Sequence, residues 1–131
     1  YDATGDWEYS SSNHWAQGSP GCDPGDPETG TVTTTQNGNN VTIVVHNDDG
    51  DLTFNGSVNG DTYILTEVEI VGGETTTYNI TFTLSDENSG SGQLTISWTD
   101  GIRECNQGFD LAITKQAVKA MPWIPLLLLD D

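Results

Sequence analysis

Tyr78-Asn79-Ile80-Thr81-Phe82-Thr83-Leu84, followed beyond Ser89-Gly90 by Leu94-Thr95-Ile96-Ser97-Trp98-Thr99, decides the fold of this chain. In both runs every second residue is apolar, and Asn, Thr or Ser fills the positions between. A two-residue period sends alternate side chains to opposite faces of a strand, where a helix would need a period near 3.6. One face is therefore apolar and the other rich in hydroxyls, the pattern of an antiparallel sheet with one face in water.

The same alternation extends outward from these runs. Val41, Ile43 and Val45 repeat it upstream, and Phe109, Leu111 and Ile113 repeat it downstream. Between the runs stand Asn37-Gly38, Asp49-Gly50, Asn59-Gly60, Gly72-Gly73, Ser89-Gly90 and Asp100-Gly101, which supply the positive-φ positions of tight hairpins. The expected strands are 5–10, 29–36, 40–47, 52–58, 62–70, 75–85, 92–99 and 108–114. No segment has a helical period. The fold expected is all-β: an antiparallel up-and-down meander of about eight strands that closes into a small barrel and so removes its edges. Residues 1–116 form that barrel and residues 117–131 an extended C-terminal tail.

The chain has 131 residues, enough for one domain with one modest core. Its hydrophobic fraction of 34% is low, and regular alternation is what separates it from a disordered polar sequence. The net charge of −17 arises from twenty acids against Arg103, Lys115 and Lys119. With no basic patch to neutralise phosphates, nucleic acid and anionic membrane surfaces are poor partners, and no membrane span is expected. Cys22 and Cys105 have no CxxC spacing and read as one disulfide. That points to an oxidising compartment, hence a secreted, extracellular or periplasmic protein. The chain opens on Tyr1 without a signal peptide, and a processed N-terminus is the expectation. Asn40, Asn55 and Asn79 each begin a glycosylation sequon of the kind that Asn- and Thr-rich sequences also produce by chance.

Gly5-Asp6-Trp7, at the start of the first strand, resembles the Gly-x-Trp signature of lipocalin-like barrels. With the hairpin ladder it makes the chain similar to a small secreted lipocalin-like or avidin-like barrel. The resemblance implies that Trp7 closes one barrel end and that Arg103, the only arginine, packs on its indole as a late-strand cation. It also implies a carrier of a small apolar ligand, with the irregular stretch 10–28 at the mouth. There His14 and Trp15 either line the opening or, in the case of Trp15, plug it.

Asn47-Asp48-Asp49-Gly50-Asp51 gathers carboxylates around a turn, the donor type of a weak calcium site at Asp48, Asp49 and Asp51, though without EF-hand spacing. Asp23, Asp26 and Glu28 form a second acidic group. No other cofactor is expected. Two histidines, His14 and His46, and no zinc-hydrolase, nucleophile-elbow or phosphate-loop motif point away from an enzyme.

The remaining signal is Met121-Pro122-Trp123-Ile124-Pro125-Leu126-Leu127-Leu128-Leu129, an apolar stretch on a very polar body. It is too short for a membrane span, which needs about 20 apolar residues. Its prolines oppose a helix. Four roles are open to residues 121–131: binding another copy of the chain, plugging their own barrel, carrying a sorting address, or docking on an unrelated surface protein. The expectation is a secreted, non-enzymatic barrel that self-assembles into filaments or rings, or docks into a surface assembly, through this tail.

Overall fold

The computed structural model describes residues 1–47 and 50–116. It is all-β: eight strands, β1 (Gly5–Gly18), β2 (Thr29–Asn37), β3 (Asn40–Val45), β4 (Leu52–Asn59), β5 (Thr62–Val71), β6 (Glu74–Asp86), β7 (Ser89–Thr99) and β8 (Glu104–Lys115). Each pairs antiparallel with the next, and β8 pairs with β1, so the meander closes into a barrel with no free edge.

Inward-facing Val41, Ile43, Phe54, Tyr63, Leu65, Ile80, Phe82 and Leu84 form the buried core with Trp7 and Ile113. Outward positions on β6 and β7 carry the Thr, Asn and Ser residues of the alternating pattern. Four hairpins have two-residue loops, and the one between β6 and β7 is Glu87-Asn88, which leaves the expected turn residues Ser89-Gly90 at the start of β7. In two of them the loop residues are Gly38-Asn39 and Gly60-Asp61, each with glycine first at φ near 60°. The preceding Asn37 and Asn59 end their strands. Turn position is therefore shifted one residue from the Asn-Gly reading, to a Gly-X loop of the kind whose twist matches the flanking strands.

Other glycines permit tight coiling. A Cβ on Gly56 would lie 1.9 Å from the Ile64 carbonyl oxygen, and one on Gly92 would lie 2.1 Å from that of Thr81. Neither site needs a positive φ; what they need is the absence of a side chain where neighbouring backbones converge.

One barrel end is sealed. Trp7 is 2% exposed, and its Nε1 donates to the Ala3 carbonyl at 2.8 Å. Tyr63 stacks on Phe82 with centroids 4.6 Å apart, and its hydroxyl donates to Gln36 Oε1 at 2.8 Å. The Ala3 backbone N–H donates to the same oxygen, tying the N-terminal residues across the end like a stopper.

Trp7 closes the end, but Arg103 is not its cation. Lys115, the last residue of β8, sits 5.9 Å from the Trp7 ring centroid. Arg103 lies in the β7–β8 turn at the other end, 3.0 Å from Asp100 and over Trp98. The backbone N–H groups of Arg103 and Ile102, then the Arg103 guanidinium, hold the Asp100 carboxyl down at about 2, so the turn keeps its own arginine.

The stretch 10–28 is not a loop throughout. β1 continues to Gly18, and only residues 19–28 lack strand structure. Asn13 takes φ 54° and the register against β8 shifts between Ser12 and Trp15. That bulge breaks the alternation a sequence reading depends on. The tail, residues 117–131, and the turn residues Asp48 and Asp49 lie outside the described residues, and with them the docking and calcium expectations. Asp51, their described neighbour, lies 3.3 Å from His46 Nδ1. Among the described residues, no three His, Cys, Asp or Glu side chains are grouped to hold a metal ion.

Candidate functional site: the open barrel end

Away from the Trp7 stopper the interior is not filled. Tyr9, Val32, Val45, Leu52, Tyr78 and Leu94 face inward yet are only partly buried. They enclose a cavity of about 290 Å³ whose floor is Phe54, Ile80 and Phe82. An eight-stranded barrel is just wide enough either to be filled by its own side chains or to hold one small ligand. Here small inward residues decide it: Val32, Thr34 and Val45 leave space that larger side chains would have taken.

The cavity wall is apolar apart from the buried Thr34 until the lip is reached. Glu28 and Asn47 sit there, and the Tyr9 hydroxyl lies 3.5 Å from Glu28 Oε1. Burial first, then the Glu28 carboxylate, raises the Tyr9 phenol. Across the cavity, Tyr78 meets Phe54 edge-on, 5.9 Å between centroids. Burial, with the adjacent Glu69 carboxylate, pushes the Tyr78 phenol up to about 12.

A smaller annex of about 150 Å³ adjoins the lip, sharing Glu28, Ile96 and Phe109 with the main cavity. It is roofed by the segment 19–28. His14 lines it, stacked on Phe109 at 4.6 Å with Nε2 2.8 Å from the buried Ser11 hydroxyl. Trp15 takes no part in the opening. It is 44% exposed and lies across Gly108, its cross-strand partner, on the outer face. The bulge at Asn13 inverts the alternation set by Trp7, Tyr9 and Ser11, so that His14 turns inward and Trp15 outward.

Three attachments hold the roof. Cys22 is disulfide-bonded to Cys105 on β8. Ser19 exchanges backbone and hydroxyl hydrogen bonds with Glu104, and Gln107 Nε2 donates to the Asp23 carbonyl. At the base, Ser11 and Glu28 bond through both backbone and hydroxyl.

The strands β5, β6 and β7 rise past the lip, since β4 pairs with β5 only as far as Thr66 whereas β5 continues to Val71. On β5 the inward series runs Tyr63, Leu65, Glu67, Glu69, turning from apolar to acidic at the level of the opening. Trp98 on β7 faces the same side, and its Nε1 donates to Glu74 Oε1 at 2.8 Å. These residues were missed in the sequence, although the alternation itself carries the signal.

No protein-family model and no curated protein matches the chain. Among solved structures it is similar to the "Monomer form of M.tuberculosis PknI sensor domain", with a TM-score of 0.60 over 93% of this chain and 97% of that one. At 9% identity the likeness is one of fold. It supports the eight-stranded barrel, and no lipocalin or avidin kinship is shown.

Proposed function

We propose that this barrel is a non-enzymatic binding domain that takes one small apolar ligand into its open end, as a sensing or carrier module outside the cytoplasm. The observation that carries the reading is the apolar cavity of about 290 Å³, closed at one end by Trp7 and open at the other. Its size falls at the lower edge of the roughly 300–1,000 Å³ typical of ligand pockets, and apolar walls with a few polar groups at the rim are their usual composition. The disulfide supports an oxidising compartment. The sensor-domain description of the structural neighbour agrees with a binding role.

The test is a titration with an apolar fluorescent dye such as N-phenyl-1-naphthylamine, followed by displacement with 1-decanol. Saturable one-to-one binding with competitive displacement is expected. Absence of saturation would overturn the reading.

Assembly through residues 121–131 is a separate proposal, carried by the apolar sequence Met121–Leu129. The barrel hands the chain over at Gln116, whose N–H donates to the Asp6 carbonyl near Trp7, at the sealed end. The described chain thus ends at Gln116, at the sealed end of the barrel, and truncation there tests the two proposals apart. A chain ending at Gln116 is expected to bind the dye unchanged and to lose any concentration-dependent size in light scattering; an unchanged size distribution removes the assembly proposal.

A further inference from the structure

Among the described residues, the two cavities are lined at the opening by acids and by no lysine or arginine, and this bears on what the cavity accepts. Glu28 sits on one lip, lining both the main cavity and its annex. On the opposite side Glu69 neighbours Tyr78, itself a cavity-wall residue. Glu67 pairs directly with Tyr78 across β5 and β6, and Glu74 receives the Trp98 indole N–H. Of the described basic side chains, Arg103 is at the open end but paired with Asp100 and lying over Trp98, and Lys115 is at the sealed end over Trp7. Neither lines either cavity.

An apolar chain entering this opening therefore leaves its head group among carboxylates and beside the Tyr78 ring, while Trp98 already has the Arg103 guanidinium 5.7 Å from its ring centroid. An anionic head would meet like charge there, in a molecule that already carries −17. A cationic head would meet opposite charge on two sides, and aromatic faces attract cations as well.

We infer that the ligand is a single-chain amphiphile with a cationic head, its hydrocarbon in the barrel and its head held at the Glu28–Glu69 lip. The inference rests on the proposal that the cavity binds apolar molecules, and its test keeps the two apart.

Three probes of equal chain length, decyltrimethylammonium, 1-decanol and decanoate, are titrated into the full chain by calorimetry below their micelle concentrations, each in competition with the dye. The cation is expected to bind roughly tenfold or more tighter than the anion, with the alcohol between them. Raising the salt concentration should compress that order. In the E28Q/E69Q variant the preference is expected to collapse to about twofold or less, because the local opposing charge has gone. That variant alters a net charge of −17 by only two, so general attraction of cations to the surface survives and cannot mimic the loss.

If all three probes compete equally, or decanoate binds best, the head-group inference is overturned while the cavity reading stands. A preference that persists in E28Q/E69Q also overturns it, by placing the selectivity elsewhere on the surface. If none displaces the dye, the cavity reading fails and the inference with it.

Discussion

Replacing Cys22 and Cys105 by serine is expected to lower stability by about 4.5 kcal/mol and the melting temperature by about 15–20 °C. The two cysteines are 83 residues apart, so the bridge closes a loop holding most of the barrel, and the entropy it removes from the unfolded chain is correspondingly large. A domain with an apolar fraction of 34% has a limited core, and a loss of that size is a large part of the total stability of an ordinary domain. The bridge also bears on the opening. It fixes the segment 19–28 above His14 and Phe109, so the reduced protein should bind the dye more weakly even where it stays folded. Thermal melting with and without reductant, beside the C22S/C105S variant, measures the first effect, and dye affinity below the melt measures the second. Equal melting temperatures would mean that the hydrogen bonds of Ser19 and Gln107 hold the roof unaided.

The second large effect is expected from filling the cavity. Val45 on β3 and Leu94 on β7 both line the space and are only partly buried. Exchanging them for phenylalanine extends each side chain into volume that no side chain occupies, so little strain opposes it. The V45F/L94F variant should lose about 100-fold in dye affinity, the equivalent of about 2.7 kcal/mol. Its stability should hold or rise by as much as about 1 kcal/mol, because cavity filling adds contacts. Urea unfolding and dye titration on one sample separate the outcomes. Lost affinity with retained stability locates the ligand inside the barrel. Lost stability would show instead that the interior is already filled by its own side chains, and retained affinity that the dye binds elsewhere.

Most of the architecture was legible in the alternation. Tyr78 to Leu84 and Leu94 to Trp98 fixed the strand class and the inward face, and the Gly-containing turns fixed the meander, except that Ser89-Gly90 belongs to β7 and the turn before it is Glu87-Asn88. Failures occurred where the physics is not periodic. The bulge at Asn13 inverts the phase within β1, so its second half read as loop and Trp15 as a mouth residue. Arg103 is captured locally by Asp100, three residues away, while Lys115 reaches Trp7 because β8 ends beside β1. Neither follows from residue type. The acidic lip was within reach of the sequence, since Glu67 and Glu69 continue the inward series of Tyr63 and Leu65. The cavity was not, because its volume depends on how closely strands approach at Gly56 and Gly92 and on what Val32 and Val45 leave unfilled.

Ligand entry into the barrel is tested most directly by a backbone and methyl nuclear magnetic resonance titration of the full chain with 1-decanol. Saturable shifts are expected only in the methyls of Val32, Val45, Leu52, Ile80 and Leu94 and in the segment 19–28, with the outward methyls of Ile64, Val68 and Ile70 unmoved. Shifts on those outward β5 methyls or in residues 121–131, with a silent interior, would contradict it.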